Sequence, residues 1–373
     1  MTIRSSLEAS TERWPSAEAL LFDQDVAERT AQCYETVCEF VPEIEWPLHA
    51  PLVDAINRLK KERDAVILAH NYMTPEIFNC VGDVTGDSLR LAQVAAEAEQ
   101  QVILQAGVHF MAETAKILSP EKTVLIPDLR AGCSLAASIT GEDVRGIRAA
   151  YPDYPIVTYV NTSAEVKAES DICCTSSNAV PVAEAIAAQW GVDTVILIPD
   201  EYLAKNVANQ TELRVLTWQG ACEVHERFSK AEIDQLRRAH PDATIIAHPE
   251  CPPEVLQAVD FAGSTAAMSR FVAEQQPQKA ILITECSMSD NVAIANPTTE
   301  LIRPCNLCPH MKRITLKKIY DSLREMKFEV EVDTAIAERA RQSVQAMLDL
   351  PLAGAAASFD TSKSGATAEY VRL

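Results

Sequence analysis

Four kinds of landmark recur along this chain at one interval, and that period restricts its folding more than any other feature. Apolar runs ending in a polar corner are the first kind. AVILAHN closes at Asn71, PIVTYVN at Asn161 and ATIIAHPE near His248, 90 and 87 positions apart. Small polar helix starts follow: Gly86-Asp87-Ser88, Thr175-Ser176-Ser177 and Gly263-Ser264-Thr265, with Ser88, Ser177 and Thr265 spaced by 89 and 88. A further set of apolar runs comes next, Val124–Ile126, Thr194–Ile198 and Ala280–Thr284. Each precedes a cysteine, and Cys133, Cys222 and Cys308 stand 89 and 86 positions apart. Landmarks sharing a period of about 88 residues argue for three related units.

The runs are continuously apolar rather than alternating, and helical stretches separate them. That pattern makes parallel sheets covered by helices on both faces. We therefore expect an α/β chain of three pseudo-symmetric three-layer α/β/α domains. Reactive groups in such sheets gather at the carboxyl ends of strands, so three units would point their polar strand ends at a common axis. The expected boundaries are a helical extension at 1–57, repeats at 58–145, 146–228 and 229–320, and C-terminal helices with a mobile tail at 321–373.

A net charge of -20 argues against nucleic acid as a partner, because binding a phosphate backbone needs a basic surface. No apolar run approaches the roughly 20 residues that span a bilayer, and the first 20 residues have no apolar central run. No membrane association and a cytoplasmic location are the expectations.

Eleven cysteines in such a compartment read as metal ligands, reactive thiols or core residues rather than disulfides. Cys33, Cys38, Cys80, Cys173 and Cys174 read as structural. Cys133, Cys222 and Cys308 differ, since each holds a corresponding place in its repeat. Three thiolates are one short of a closed structural zinc site. They suit a [4Fe–4S] cluster with one iron free to act as a Lewis acid; packing in a core is the plainer alternative. Cys305-x-x-Cys308 would be half of a zinc site, but no second such pair completes it. The helix start at Ser88 offers free N–H groups to a carboxylate or phosphate, although position alone favours Asp87 or Ser88 as a simple cap.

The segments AHNY (69–72), GDSL (86–89), GVHFMAETAKIL (107–118), AGCSLA (131–136), TYVNTSAEVKAESDICCTSSNA (158–179), WQGACEVHERF (218–228), HPEC (248–251), GSTAAM (263–268) and CPHM (308–311) follow in order. Over roughly residues 60 to 315 the chain resembles the quinolinate synthase family. The resemblance implies three α/β domains around a central [4Fe–4S] cluster. It implies condensation of iminoaspartate with dihydroxyacetone phosphate to quinolinate, with loss of phosphate and two waters, a transferase step of NAD biosynthesis. Functional coupling to an iminoaspartate-producing aspartate oxidase belongs to the same expectation.

Residues matching the family's cluster ligands are Cys133, Cys222 and Cys308, leaving Cys305 as an extra thiol of the kind that in some members can pair with Cys308 under oxidation. Those matching its substrate site are His70, Tyr72, Ser88, Tyr159, Asn161, Ser176, His248, Glu250, Ser264 and Thr265. The hydroxyls at helix starts suit substrates with carboxylates and a phosphate. Glu250 is expected as general base, Tyr72 as a proton donor to a leaving hydroxyl, and His248 as a further catalytic group. The sequence departs from many members at Ser287, where they have Gly, and its CxxC is short of the CxxCxxC seen in some. Two rival classes are another cluster-dependent hydro-lyase and a redox sensor; an acidic chain with some ten polar groups at strand ends and helix starts favours an enzyme.

Overall fold

The computed structural model describes residues 14–350 and 358–372, so the expectations for residues 1–13, 351–357 and 373 lie outside the described residues. Among the described residues, three sheets are flanked by helices. The first holds β1 (Ala65–His70), β2 (Val84–Gly86), β3 (Val102–Ala106) and β4 (Thr123–Leu125) in the order β2-β1-β3-β4. The second repeats that order with β5 (Ile156–Tyr159), β6 (Ile172–Cys174), β7 (Thr194–Ile198) and β8 (Arg214–Thr217). The third repeats it again with β9 (Thr244–Ala247), β10 (Phe261–Gly263), β11 (Lys279–Ile283) and β12 (Glu300–Ile302). All pairings among these twelve strands are parallel.

Burial explains the run pattern. Every residue of β1, β3, β5 and β7 is buried, as in sheets covered on both faces. The edge strands β2 and β12, and β8, carry no such run and go unseen in the sequence. The ten-residue helices Gly141–Ala150 and Cys286–Ala295 also escape notice.

Register refines the repeat. Ala69 pairs with Ala106, Thr158 with Ile198 and Ala247 with Ile283. His70, Tyr159 and His248 thus hold one equivalent place, and Tyr72, Asn161 and Glu250 the place two residues on. On the other side His70 pairs with Gly86, Tyr159 with Cys174 and Ala247 with Ala262, which aligns Ser88, Ser176 and Thr265. The landmarks Asn71 and Ser177 therefore sit one residue away from the equivalent positions.

Two expectations are corrected. The end of the chain adds β13 (Ser358–Phe359), antiparallel to β10, and β14 (Glu369–Tyr370), parallel to β8. These residues are docked rather than mobile, with Phe359 buried. Cys286 and Cys305 form a disulfide, where no disulfide was expected and Cys308 was the foreseen partner of Cys305. A parallel bridge between Glu285 and Asn306 sets the two backbones side by side, with the cysteine Cα atoms 5.1 Å apart, while Cys308 turns into a cavity. Cys80, Cys173 and Cys174 are buried as read, but Cys38 is exposed.

Ahead of the first sheet, the helix Trp46–Glu62 buries Val53, Ile56 and Leu59. Arg29 from the helix Gln24–Val37 grips Asp54 through two bonds of 2.7 and 2.9 Å.

Candidate active site

Three loops at the carboxyl ends of the sheets deliver Cys133, Cys222 and Cys308 to one cavity. Cys133 is the extended residue before the short helix Ser134–Ala137. Its neighbour Ser134 donates to the Ala221 carbonyl and accepts from the Glu223 N–H, each at 3.1 Å, and so brackets Cys222 on both sides. Gly220 permits the approach: a Cβ there would lie 2.5 Å from Ser138 Oγ and 2.6 Å from the Pro199 carbonyl oxygen. His310, two residues past Cys308, holds Glu223 at 2.9 Å. The loops that carry the thiols are thus tied to one another as well as to their own sheets.

The same cavity is lined by His70, Tyr72, Ser88, Tyr159, Asn161, Ser176, His248, Glu250 and Thr265. Equivalent positions make equivalent bonds: Nδ1 of His70 accepts from the Tyr72 N–H at 3.2 Å, and Nδ1 of His248 from the Glu250 N–H at 3.3 Å. Asp87, not Ser88, caps the helix Ser88–Glu97, so the Ser88 side chain is left to the cavity. Ser264 falls outside the lining; it caps the helix Thr265–Gln275 by accepting from the Ala267 N–H, the place Asp87 takes in the first sheet. Ser176 Oγ lies 3.3 Å from His248 Nε2, and Asn71 donates to Thr265 at 2.8 Å. The Asn161 carbonyl oxygen is buried without a partner among the described residues.

Glu250 collects donors. Tyr159 donates to its Oε1 at 2.5 Å, Asn161 approaches the same oxygen at 3.4 Å, and His225 Nδ1 lies 2.6 Å from Oε2. On its far side His225 Nε2 lies 3.0 Å from Thr284 Oγ1, which is 2.7 Å from the Tyr72 hydroxyl. The His225 ring also stacks on His248 with centroids 4.6 Å apart. His225 and Thr284 went unremarked in the sequence. The only hint was a histidine three residues after Cys222, a spacing that puts both on the same turn.

Burial sets the electrostatics. It drives His70 down to about 4 and His248 down to about 3, against the pull of Glu250, so both rings are neutral near pH 7. Burial alone would raise Glu250; its neighbours His248 and His225, with bonds from His225 and Tyr159, override it and hold the carboxyl well below the usual range. Burial, reinforced by Glu250, lifts Tyr72 and Tyr159 far above ordinary phenols.

The thiols fit a metal. Burial pushes Cys133 up to about 12 and raises Cys222 and Cys308 as well. None of the described residues lining the cavity is Lys or Arg, so no cation of the cavity wall offsets three thiolates there. Backbone N–H groups of Leu135 and Ala136, of Val224 and His225, and of His310 and Met311 do face the respective sulfurs. A bound cation would supply the missing charge and deprotonate its ligands outright. Cys222, His225 and Glu250 also bring ligand atoms within 4.8 Å of one another, but the tight bond between His225 and Glu250 already occupies that pair.

Thiols that can bind metal, set in a cavity ringed by proton-carrying side chains at the ends of three parallel sheets, define an α/β enzyme of the metal-dependent kind. Comparison with known proteins specifies which. Residues 54–349 match the family described as NadA, quinolinate synthetase A protein. The chain is 58% identical over 344 residues to a quinolinate synthase of Caulobacter vibrioides, covering 92% of this chain and 94% of that one. It is 60% identical over 315 residues to quinolinate synthase 2 of Mesorhizobium japonicum, covering 84% and 96%. A quinolinate synthase of Xylella fastidiosa is 62% identical over 296 residues, covering 79% and 86%. The chain belongs to the quinolinate synthase family. Among the described residues no helix is long and apolar enough to cross a membrane.

Proposed function

We propose that this cavity condenses iminoaspartate with dihydroxyacetone phosphate to quinolinate, releasing phosphate and two waters, and that Cys133, Cys222 and Cys308 hold a [4Fe–4S] cluster there. The observation that carries the reading is the meeting of these three thiols with Tyr72 and Glu250 in one cavity. Such a cluster, when bound, supplies Lewis acidity from the iron that no cysteine holds.

The protein's own groups bind and move protons. With no Lys or Arg among the described residues lining the cavity, the substrate anions fall to hydroxyls at Ser88, Ser176 and Thr265. Ser88 and Thr265 each open a helix of ten or more residues, whose N-terminal N–H groups favour negative charge. Neutral His70 offers a ring donor, and the unpaired Asn161 oxygen accepts from a substrate amine or hydroxyl.

Glu250 is too weak a base, at its lowered pKa, to take a substrate proton with ease. Its proposed role is therefore exercised through His225. A proton leaving substrate passes to the Tyr72 oxygen, on through Thr284 Oγ1, and to His225 Nε2, with Glu250 stabilising the imidazolium from the Nδ1 side. The same path run backwards lets Tyr72 protonate a departing hydroxyl. His248 is assigned to orienting substrate beside Ser176.

Iminoaspartate is the product of oxidising aspartate at its amine, so an aspartate oxidase is the expected supplier. The test is an anaerobic assay of the reconstituted protein with iminoaspartate, with and without dihydroxyacetone phosphate. Quinolinate that forms only when both are present is the expected result. Dehydration of a small carboxylic acid without the triose phosphate would replace this reading with that of a hydro-lyase.

A further inference from the structure

The residues at the three equivalent strand ends are gripped alike. Asn291 donates to the carbonyls of Asn71 at 3.1 Å and Met73 at 2.8 Å, on either side of Tyr72. Asn206 donates to the carbonyls of Pro249 at 2.8 Å and Cys251 at 2.9 Å, on either side of Glu250. The Lys167 ammonium bonds the carbonyls of Val160 and Thr162, on either side of Asn161. All three donors are buried. The middle carbonyl of the first set is held too, by Lys312 onto Tyr72 at 2.8 Å.

The register explains where the donors come from. Asn206 and Asn291 each stand six residues beyond the acid, Asp200 or Glu285, that caps the helix after the third strand of a sheet. Each reaches out of its own sheet: Asn206 from the second to the end of β9, Asn291 from the third to the end of β1. The matching position in the first sheet is Thr114, six beyond the cap Val108. Its short side chain bonds the Phe110 carbonyl instead. Lys167, from the helix Ala164–Ala168 beyond β5, takes over the role at Asn161.

We propose that Asn206, Asn291 and Lys167 are positioning residues, each fixing the backbone on both sides of one cavity-facing side chain. Asn206 and Asn291 do so across the boundary between sheets, so Tyr72 and Glu250 are aligned only while the three sheets are correctly seated. A side chain displaced by about 1 Å is enough to cost orders of magnitude in rate. The proposal rests on the reading of Tyr72 and Glu250 given above.

A pair of double-mutant cycles tests it in cluster-loaded protein. Asn206→Ala is expected to lower kcat at least about tenfold, with KM and iron content little changed. In a Glu250→Gln background the same change should have less than about a twofold further effect, because Asn206 acts through Glu250. Asn291→Ala should behave likewise with Tyr72→Phe, while the crossed pair Asn206→Ala with Tyr72→Phe should be additive. Asn206→Ser and Asn291→Ser, which keep one donor, serve if the alanine variants fold poorly and should lose less activity than alanine. Normal kcat in both asparagine variants beside an inactive Glu250→Gln, or additive losses within each cycle, would overturn the clamps alone. Normal turnover in Glu250→Gln itself would remove the reading of the site and the Asn206 clamp together.

Discussion

The Tyr159 hydroxyl donates to Glu250 at 2.5 Å, joining the end of a strand in the second sheet to the end of one in the third. The bond helps to hold the Glu250 carboxyl in its ionised form beside His225. Glu250→Gln keeps the size of the side chain and removes the charge. We expect it to retain iron and slow turnover by about 100-fold or more, the scale of lost acid–base catalysis. Steady-state quinolinate formation measures this, and near-normal turnover would exclude Glu250 from the proton path.

Thr284 bridges His225 and Tyr72 by the shorter of two routes, the Tyr72 hydroxyl also lying 3.3 Å from His225 Nε2 directly. Thr284→Val preserves shape and removes the hydroxyl on the shorter route, leaving only the longer direct contact. Turnover should drop by at least about tenfold while KM for both substrates stays within a few-fold, since the change breaks transfer rather than binding. A rise in KM at constant kcat would make Thr284 a binding group instead.

Gly220 lies where a Cβ would meet the Pro199 carbonyl and Ser138, two residues before Cys222. Gly220→Ala must push the Cys222 loop outward. The expected outcome is a lower iron-to-protein ratio after anaerobic reconstitution, read by chemical iron analysis. Full loading would show that the loop yields without moving its thiol.

Two neutral buried histidines make stability depend on pH. His70 titrates at about 4 and His248 at about 3 in the fold, against 6.5 for an ordinary histidine. Below the ordinary value the unfolded chain takes up protons that the folded chain refuses, so stability falls as pH is lowered from about 6.5. Each histidine contributes a slope of about 1.4 kcal/mol per pH unit until its folded pKa is reached. Urea midpoints at pH 7 and pH 5 should differ for the parent protein and differ less for His70→Gln. Equal differences in the two would contradict a neutral, buried His70.

The repeat was legible because buried parallel strands leave unbroken apolar runs, and β1, β5, β7, β9 and β11 each announce themselves so. The edge strands β2 and β12, and β8 beside the short β14, did not: three or four residues with partial exposure need no apolar run. Register could not be read to the residue. Asn71 and Ser177 look as good in the sequence as Tyr72 and Ser176, and only strand pairing separates them. Most cavity residues were found because they close strands or open helices. Ser264 sits at such a helix start yet serves as a cap, a choice set by where its oxygen points. His225 and Thr284 join the site through contacts between sheets, 59 positions apart, which no local pattern records. The Cys286–Cys305 disulfide depends in the same way on a bridge between two distant loops.

The most direct measurement of the central claim is iron and sulfide per chain in anaerobically reconstituted protein, for the parent and for Cys133→Ser, Cys222→Ser and Cys308→Ser separately. About four irons in the parent and a marked loss in every variant is the expected result. Parental iron content in any one of the three variants would contradict a cluster held by these cysteines.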